Sequence, residues 1–299
     1  MRFFRALIAA ALVLAPLNAA FAQDGPRIIA VNQALQYMAA RLVDGSADVV
    51  FPVPEGVDPS FWRPSIADIS AVQAGDLILL NGAGFATWID RVSLPRARLV
   101  DTSAGIRDQF IVTETITHSH GDGGEHSHEG LASYLWLDPL LAIAQAEAIA
   151  TALIARDLVP QSQVEARLTD IRADMSALDA RVQTALSNLE GLEIIATHPR
   201  YQYFARRYNL SITALDWDVG AMPTPEQLAN LDRLAAQQGA QVLIWEAQPL
   251  PEAVQAIEAL GLQSVVFEPW ARKGVDGTFL AAYETAVSAI VSAVGQSSN

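Results

Sequence analysis

The sequence predicts an α/β protein: two βα lobes with parallel sheets, joined by one long spine helix. Three observations carry that expectation. Short β-like runs alternate with helix-period runs through the first half of the chain. A long helical spacing follows, set by Val164, Leu168, Ile171, Met175, Leu178, Val182 and Leu186. The alternation then restarts and continues to the end of the chain. Strands alternating with helices mean βαβ units, and βαβ units mean parallel sheets.

Residues 27–31 are a β-like start, 33–42 carry helical spacing and 49–53 are β-like again. A helix over 65–73 follows Pro64, a start signal. Residues 76–80 are a short apolar strand of the buried type. Asn81-Gly82-Ala83-Gly84 then turns the chain into another helix. Residues 103–132 lose apolar periodicity to Gly, Ser, Asp and His and read mostly as a long surface loop. Asp138-Pro139 opens a helix to about residue 156, which Val159-Pro160 interrupts. Ser162 reads as an N-cap, with Glu165 completing a capping box. The helix it starts runs to about residue 189, approaching ~40 Å at 1.5 Å per residue, long enough to cross between lobes as a rigid spine. Strands are expected at 192–196, 211–215, 241–245 and 264–267. Helices are expected at 200–208, 225–238 with Thr224 as cap, 252–260 ended by Gly261, and 278–294. No usable internal repeat is visible. The expected organisation is a leader at 1–22, an N-terminal lobe at 23–160 with a histidine-rich loop near 115–130, a linking helix at 161–190, and a C-terminal lobe at 191–299.

The leader is read from Arg2 and Arg5, the apolar run Ala6 to Leu17, and the small-x-small ending Ala20-Phe21-Ala22. Together these are a cleavable secretory signal. The run falls short of the ~20 residues a membrane span needs, and no later stretch reaches that length. The mature chain is therefore expected to be exported and soluble, without membrane insertion. It has no cysteine, which excludes disulfides and thiolate metal sites. Without Arg2 and Arg5 the chain carries 17 basic against 33 acidic residues. That balance argues against nucleic acid and anionic membranes as partners and suits a cation binder.

Four of the five histidines lie in His118-Ser-His120-Gly-Asp-Gly-Gly-Glu-His126-Ser-His128. In an extended segment, residues i and i+2 point to one side, so each His-x-His pair can present two nitrogens to one ion. Imidazole is a leading ligand for Zn²⁺, Cu²⁺ and Ni²⁺, and His-rich tracts read compositionally as metal binding. Asp122, Glu125 and Glu129 add oxygen donors. The fifth, His198, ends a strand in Ile194-Ile195-Ala196-Thr197-His198-Pro199. Ligands of open α/β sheets bind outside the carboxyl ends of strands, so His198 is placed either as a ligand or as a structural residue. Glu246 and Asp218 lie near other strand ends and are candidates for supporting contacts. Trp62, Trp88, Trp136, Trp217 and Trp270 are expected to pack around the cleft or at lobe surfaces. No His-Glu-x-x-His, nucleophile elbow, Walker motif or dinucleotide fingerprint is present, so a hydrolase is disfavoured.

Several motifs occur in order. They are Pro54-Glu-Gly-Val-Asp58-Pro59, Pro64-Ser-Ile-Ala-Asp68-Ile69, Ala74 to Gly84 with Trp88, Trp136-Leu-Asp-Pro139, Ala196-Thr-His-Pro199 with Tyr203-Phe-Ala-Arg-Arg-Tyr208, and Glu268-Pro269. By these the mature chain resembles the solute-binding proteins of zinc and manganese ABC transporters. The resemblance implies a periplasmic, monomeric protein that carries its ion in a cleft between the lobes and delivers it to an inner-membrane permease. It also implies a metal site of three histidines and one carboxylate. The corresponding positions here are Ser60, Tyr134, His198 and Glu268, so only one histidine is retained. Three consequences stay open. The loop histidines could complete a weak zinc site, the cleft could prefer a harder ion such as Mn²⁺ or Fe³⁺, or the cleft could have lost ordinary uptake, leaving the loop as the metal-binding element, as in a periplasmic metal buffer or chaperone of the same fold.

Overall fold

The computed structural model describes residues 25–113, 130–189, 191–274 and 277–297. Its N-terminal sheet holds β1 (Arg27–Ala30), β2 (Asp48–Val50), β3 (Leu77–Leu80) and β4 (Leu99–Asp101), all parallel, in the order β2-β1-β3-β4. Central strands buried on both faces must be apolar throughout, and Leu77, Ile78 and Leu79 of β3 are fully buried. Helix α1 (Gln33–Val43) follows β1; the Asn32 side chain accepts from the Leu35 N–H at 2.8 Å and caps it. Helix α2 (Ile66–Gln73) starts at a capping box between Ser65 and Asp68.

After β3 the chain departs from the sequence expectation. Asn81 to Gly84 leads not into an α-helix but into one 3₁₀ turn, Thr87–Arg91. Gly82 has a positive φ of 75°, and a Cβ there would sit 1.8 Å from Ser103 Oγ, so only glycine lets the chain pass. Strand β4 was not legible, because three residues behind Arg96 and Arg98 carry no measurable period. The stretch read as loop is partly structured. A 3₁₀ turn covers Ala104–Gln109, and β5 (Val112–Thr113) pairs antiparallel with β6 (Gly130–Leu131). The histidine-rich segment and the leader lie outside the described residues.

Helix α3 (Pro139–Ala155) is capped by the nearly buried Asp138, whose carboxylate accepts from the Leu140 N–H at 2.9 Å. Burial raises the Asp138 pKa, and that backbone bond pulls it partly back. The charged form is thus penalised in the fold at neutral pH, and the penalty is relieved as pH falls through the raised pKa. Asp138→Asn, which keeps an acceptor without the charge, is therefore expected to hold wild-type stability within ~0.5 kcal/mol at pH 7. Asp138→Ala should lose ~1 kcal/mol of cap. Urea melts of both variants check this, and equal losses would refute it.

Helix α4 (Gln161–Leu186) has 26 residues, about 39 Å at the α-helical rise. It starts behind Pro160 without a side-chain cap, so Ser162 is inside the helix and is not its N-cap. The Gln163 side chain bonds the Val43 carbonyl and Ser46 instead, tying the first turn to the N-terminal lobe. All the residues of the sequence spacing are buried along α4 except Leu168, which is partly covered.

The second sheet holds β7 (Glu193–Ala196), β8 (Ser211–Ala214), β9 (Val242–Trp245) and β10 (Gln263–Val266), in the order β10-β9-β7-β8. Between and after them come α5 (Gln202–Tyr208), α6 (Pro225–Gln238), α7 (Pro251–Glu258) and α8 (Phe279–Ser297). Numbered within its own lobe, each sheet reads 2-1-3-4. This repeat of topology is invisible in the sequence, because each lobe repeats a hydrogen-bonding order and not a residue pattern.

Strand alternation divides the C-terminal core. Ile194, Val242 and Ile244 face one way and share a continuous core with α1, α3, α4, α8 and the first sheet. Ile195, Leu243 and Trp245 face the other way, against Leu231 of α6 and Ile257 of α7. The lobes are therefore fused through a common apolar interior along α4.

Candidate functional site

In a 2-1-3-4 sheet the connections leave in opposite directions from strands 1 and 3, which opens a crevice at their carboxyl ends. In the C-terminal lobe those ends carry His198, after β7, and Glu246, after β9. In the N-terminal lobe they carry Asn32 and Asn81, which bond to each other at 3.2 Å and are buried. The N-terminal lobe contributes Asp58 and Tyr134 instead, with Ser60 buried behind them. The segment behind β10 adds Glu268 and Arg272.

The centre of this constellation is Arg200, a residue the sequence reading placed only as the start of a helix. Helix α5 begins two residues later, at Gln202, and the Arg200 side chain enters the cleft. Its Nε donates to Glu246 Oε2 at 2.9 Å and its Nη2 to Asp58 Oδ2 at 2.8 Å. Its guanidinium lies 4.9 Å from the centroid of the Tyr134 ring. One cation thus joins a carboxylate of each lobe and stacks on an aromatic face, with only 11% of its side chain exposed. Asp58 is fixed in turn by accepting the Ser60 N–H at 2.8 Å. A second pair lies behind the first: Arg272 donates to Glu268 at 3.2 and 3.3 Å and to the Glu246 carbonyl at 3.3 Å.

The four motif positions gather in this region but do not share one void. Tyr134 and Glu268 line a space of about 10 Å³ together with Asp58, Glu246 and Arg272, room for at most one water. His198 opens instead onto a larger interlobe cavity of about 410 Å³, walled by Asp58, Phe61, Arg63, Trp217 and the exposed Asp218. Ser60 is buried, and its carbonyl accepts the Thr87 hydroxyl at 3.0 Å. Glu246 is in the cleft centre, closer to the chemistry than a supporting role required. Asp218 is at the rim of the larger cavity. Trp62, Trp88, Trp136, Trp217 and Trp270 are all buried.

Electrostatics follow from burial. The His198 Nδ1 stands 3.7 Å from Glu246 Oε2, without a hydrogen-bond partner, and desolvation lowers the imidazole pKa against the pull of Glu246. A neutral imidazole is the ligating form. Burial also raises the Tyr134 hydroxyl far above its ordinary range, with Arg200 only partly opposing. Burial raises the Glu268 carboxyl, against Arg272. As donors for an ion, the residues fit incompletely. His198 is available, but Asp58, Glu246 and Glu268 are each held by a guanidinium. Among the described residues no group of three His, Cys, Asp or Glu is arranged to hold a metal. Arg200 could have been noticed from Thr197-His198-Pro199-Arg200, two basic side chains two apart at a strand end; Arg272 left no such trace.

Two α/β lobes of equal strand order, facing across a polar cleft and bound by one long helix, are the build of a bilobed solute-binding protein. The family model described as zinc-uptake complex component A, periplasmic (ZnuA), matches residues 28–293, and the chain belongs to that family. The high-affinity zinc uptake system protein ZnuA of Bacillus subtilis (strain 168) is 26% identical over 220 residues, 69% of this chain and 66% of its own length. The manganese ABC transporter substrate-binding lipoprotein PsaA of Streptococcus pneumoniae is 24% identical over 216 residues, 70% of this chain and 67% of its own. In fold, the crystal structure of the Zn(II)-bound ZnuA-like domain of Streptococcus pneumoniae AdcA superposes with a TM-score of 0.76. That match is 16% identical and covers 90% of this chain and 98% of that one. No described helix is long and apolar enough to cross a membrane.

Proposed function

We propose that the protein captures a transition-metal ion in the periplasm, zinc in the first place, and delivers it to an ABC permease of the inner membrane. The observation that carries this reading is the family match across residues 28–293. His198 supports it, as a neutral imidazole at the carboxyl end of a central strand and facing the interlobe cavity. Ser60, Tyr134 and Glu268 are the positions proposed to share the ion with His198. His118, His120, His126 and His128 supply the nitrogens the cleft lacks, since zinc prefers four ligands in a tetrahedral shell. The leader is cleaved on export, and the mature protein acts as a monomer. The pairing of Asp58, Glu246 and Glu268 with arginines favours one second reading, a periplasmic metal buffer of the same fold.

Titration of the mature protein with Zn²⁺, Mn²⁺ and Fe³⁺ tests the reading. Zinc is expected to bind most tightly, and failure to bind any of the three would overturn it. Replacing the four segment histidines with asparagine should weaken zinc at least tenfold. A further loss on His198→Ala locates an ion in the cleft. Zinc binding indifferent to His198→Ala would assign capture to the segment alone and support the buffer.

A further inference from the structure

We infer that Arg200 is a resident cation of the interlobe cleft: it bridges the lobes without metal and competes with an incoming divalent ion for Asp58 and Glu246. The inference rests on the metal-capture reading and concerns what sets the affinity and selectivity of its cleft.

The geometry is that of a cation site already filled. Asp58 from one lobe and Glu246 from the other converge on a single guanidinium at 2.8 and 2.9 Å. The Tyr134 ring closes one face of it. Asp58 also borders the 410 Å³ cavity, but the space that it shares with Glu246 is about 10 Å³. An ion drawing on them must first displace the arginine.

Charge points the same way. Asp58, Glu246 and Glu268 face Arg200 and Arg272, which leaves one net negative charge with His198 neutral. Without Arg200 the cluster would carry two, the complement of a divalent ion. A planar guanidinium bonded in two directions is held better than a lysine would be, so displacing it is costly. Oxygen-seeking ions such as Mn²⁺ need those carboxylates and meet the full competition. Zinc can begin on the His198 nitrogen outside the pair and meets less of it. Arg200 is thus a specificity-determining residue that raises the threshold for loading.

The test uses the mature chain with His118, His120, His126 and His128 changed to asparagine, so that the cleft alone is read. Zinc affinity is measured by competition with a chromophoric chelator for Arg200, Arg200→Lys, Arg200→Gln and Arg200→Met. Near-UV circular dichroism of the buried tryptophans confirms folding. Removing the charge should tighten zinc at least tenfold and manganese by more, in whichever of the Gln and Met variants folds. The lysine variant, still cationic but held less firmly, should fall between the parent and the neutral variants. A purely structural role would make all three substitutions weaken binding together. Equal or weaker zinc binding in the folded neutral variants, or none in any variant, overturns the inference. The capture reading itself is judged separately, on the chain with its histidines intact.

Discussion

Replacing Trp136 with alanine is expected to destabilise the protein by about 4 kcal/mol, the upper part of the range for emptying a large buried site. Trp136 is fully buried and packs against Tyr134 at 4.8 Å and Phe85 at 5.4 Å between ring centroids. Its indole N–H donates to the Pro269 carbonyl at 2.6 Å, which ties the N-terminal lobe to the segment behind β10. Alanine removes the ring and also leaves that buried carbonyl without its donor, which adds a desolvation cost. Trp136→Phe separates the two effects by keeping most of the packing, and should lose about 1–2 kcal/mol. Urea unfolding followed by circular dichroism measures both. Losses below about 1.5 kcal/mol for alanine would show that the core relaxes around the site. Because Pro269 adjoins Glu268 and Tyr134 adjoins Arg200, the alanine variant should also disturb the cleft.

Asp179→Ala is expected to cost about 3 kcal/mol, because it strands a partly buried cation without its hydrogen-bonded partner. Asp179 is a buried acid on α4 and receives Arg207 Nε at 2.8 Å, a second, shorter bond from Arg207 Nη2, and the Tyr208 hydroxyl at 3.1 Å. Arg207 is fixed on α5, so the trio locks the spine helix to the C-terminal lobe. Only 10% of the Asp179 side chain and 28% of the Arg207 side chain are exposed, which limits screening by water. Asp179 raises the Arg207 pKa further, so the guanidinium stays charged at any working pH. The loss should therefore be nearly independent of pH between 6 and 9. Arg207→Met in the Asp179→Ala background should recover part of the stability, because the unpaired charge is then gone. Additive losses in the double variant, measured by thermal melts, would show that the two side chains do not act as a pair.

The sequence by itself determined the class of fold. Apolar runs such as Leu77 to Leu80 and Val242 to Trp245, short and bounded by turn residues, fit buried central strands, and the spacing from Val164 to Leu186 fits a helix with one covered stripe. It determined His198 as a strand-end residue by the same logic, since local periodicity fixes where a strand stops. The motif positions Ser60, Tyr134 and Glu268 were named by resemblance alone; Tyr134 and Glu268 line one small space beside Asp58, and Ser60 is buried. What periodicity could not supply was anything spread across the chain. Strand β4 forms because β3 offers a partner edge, and its own three residues are too few to declare it. The shared 2-1-3-4 order depends on which strands pair. Most of all, only the tertiary structure decided the role of Arg200. Nothing near it in sequence announces that Asp58, 142 positions earlier, and Glu246, 46 later, will meet its guanidinium. A buried charge is tolerable only where folding brings such partners together, so its function is written in the assembled cleft and not in the segment that carries it.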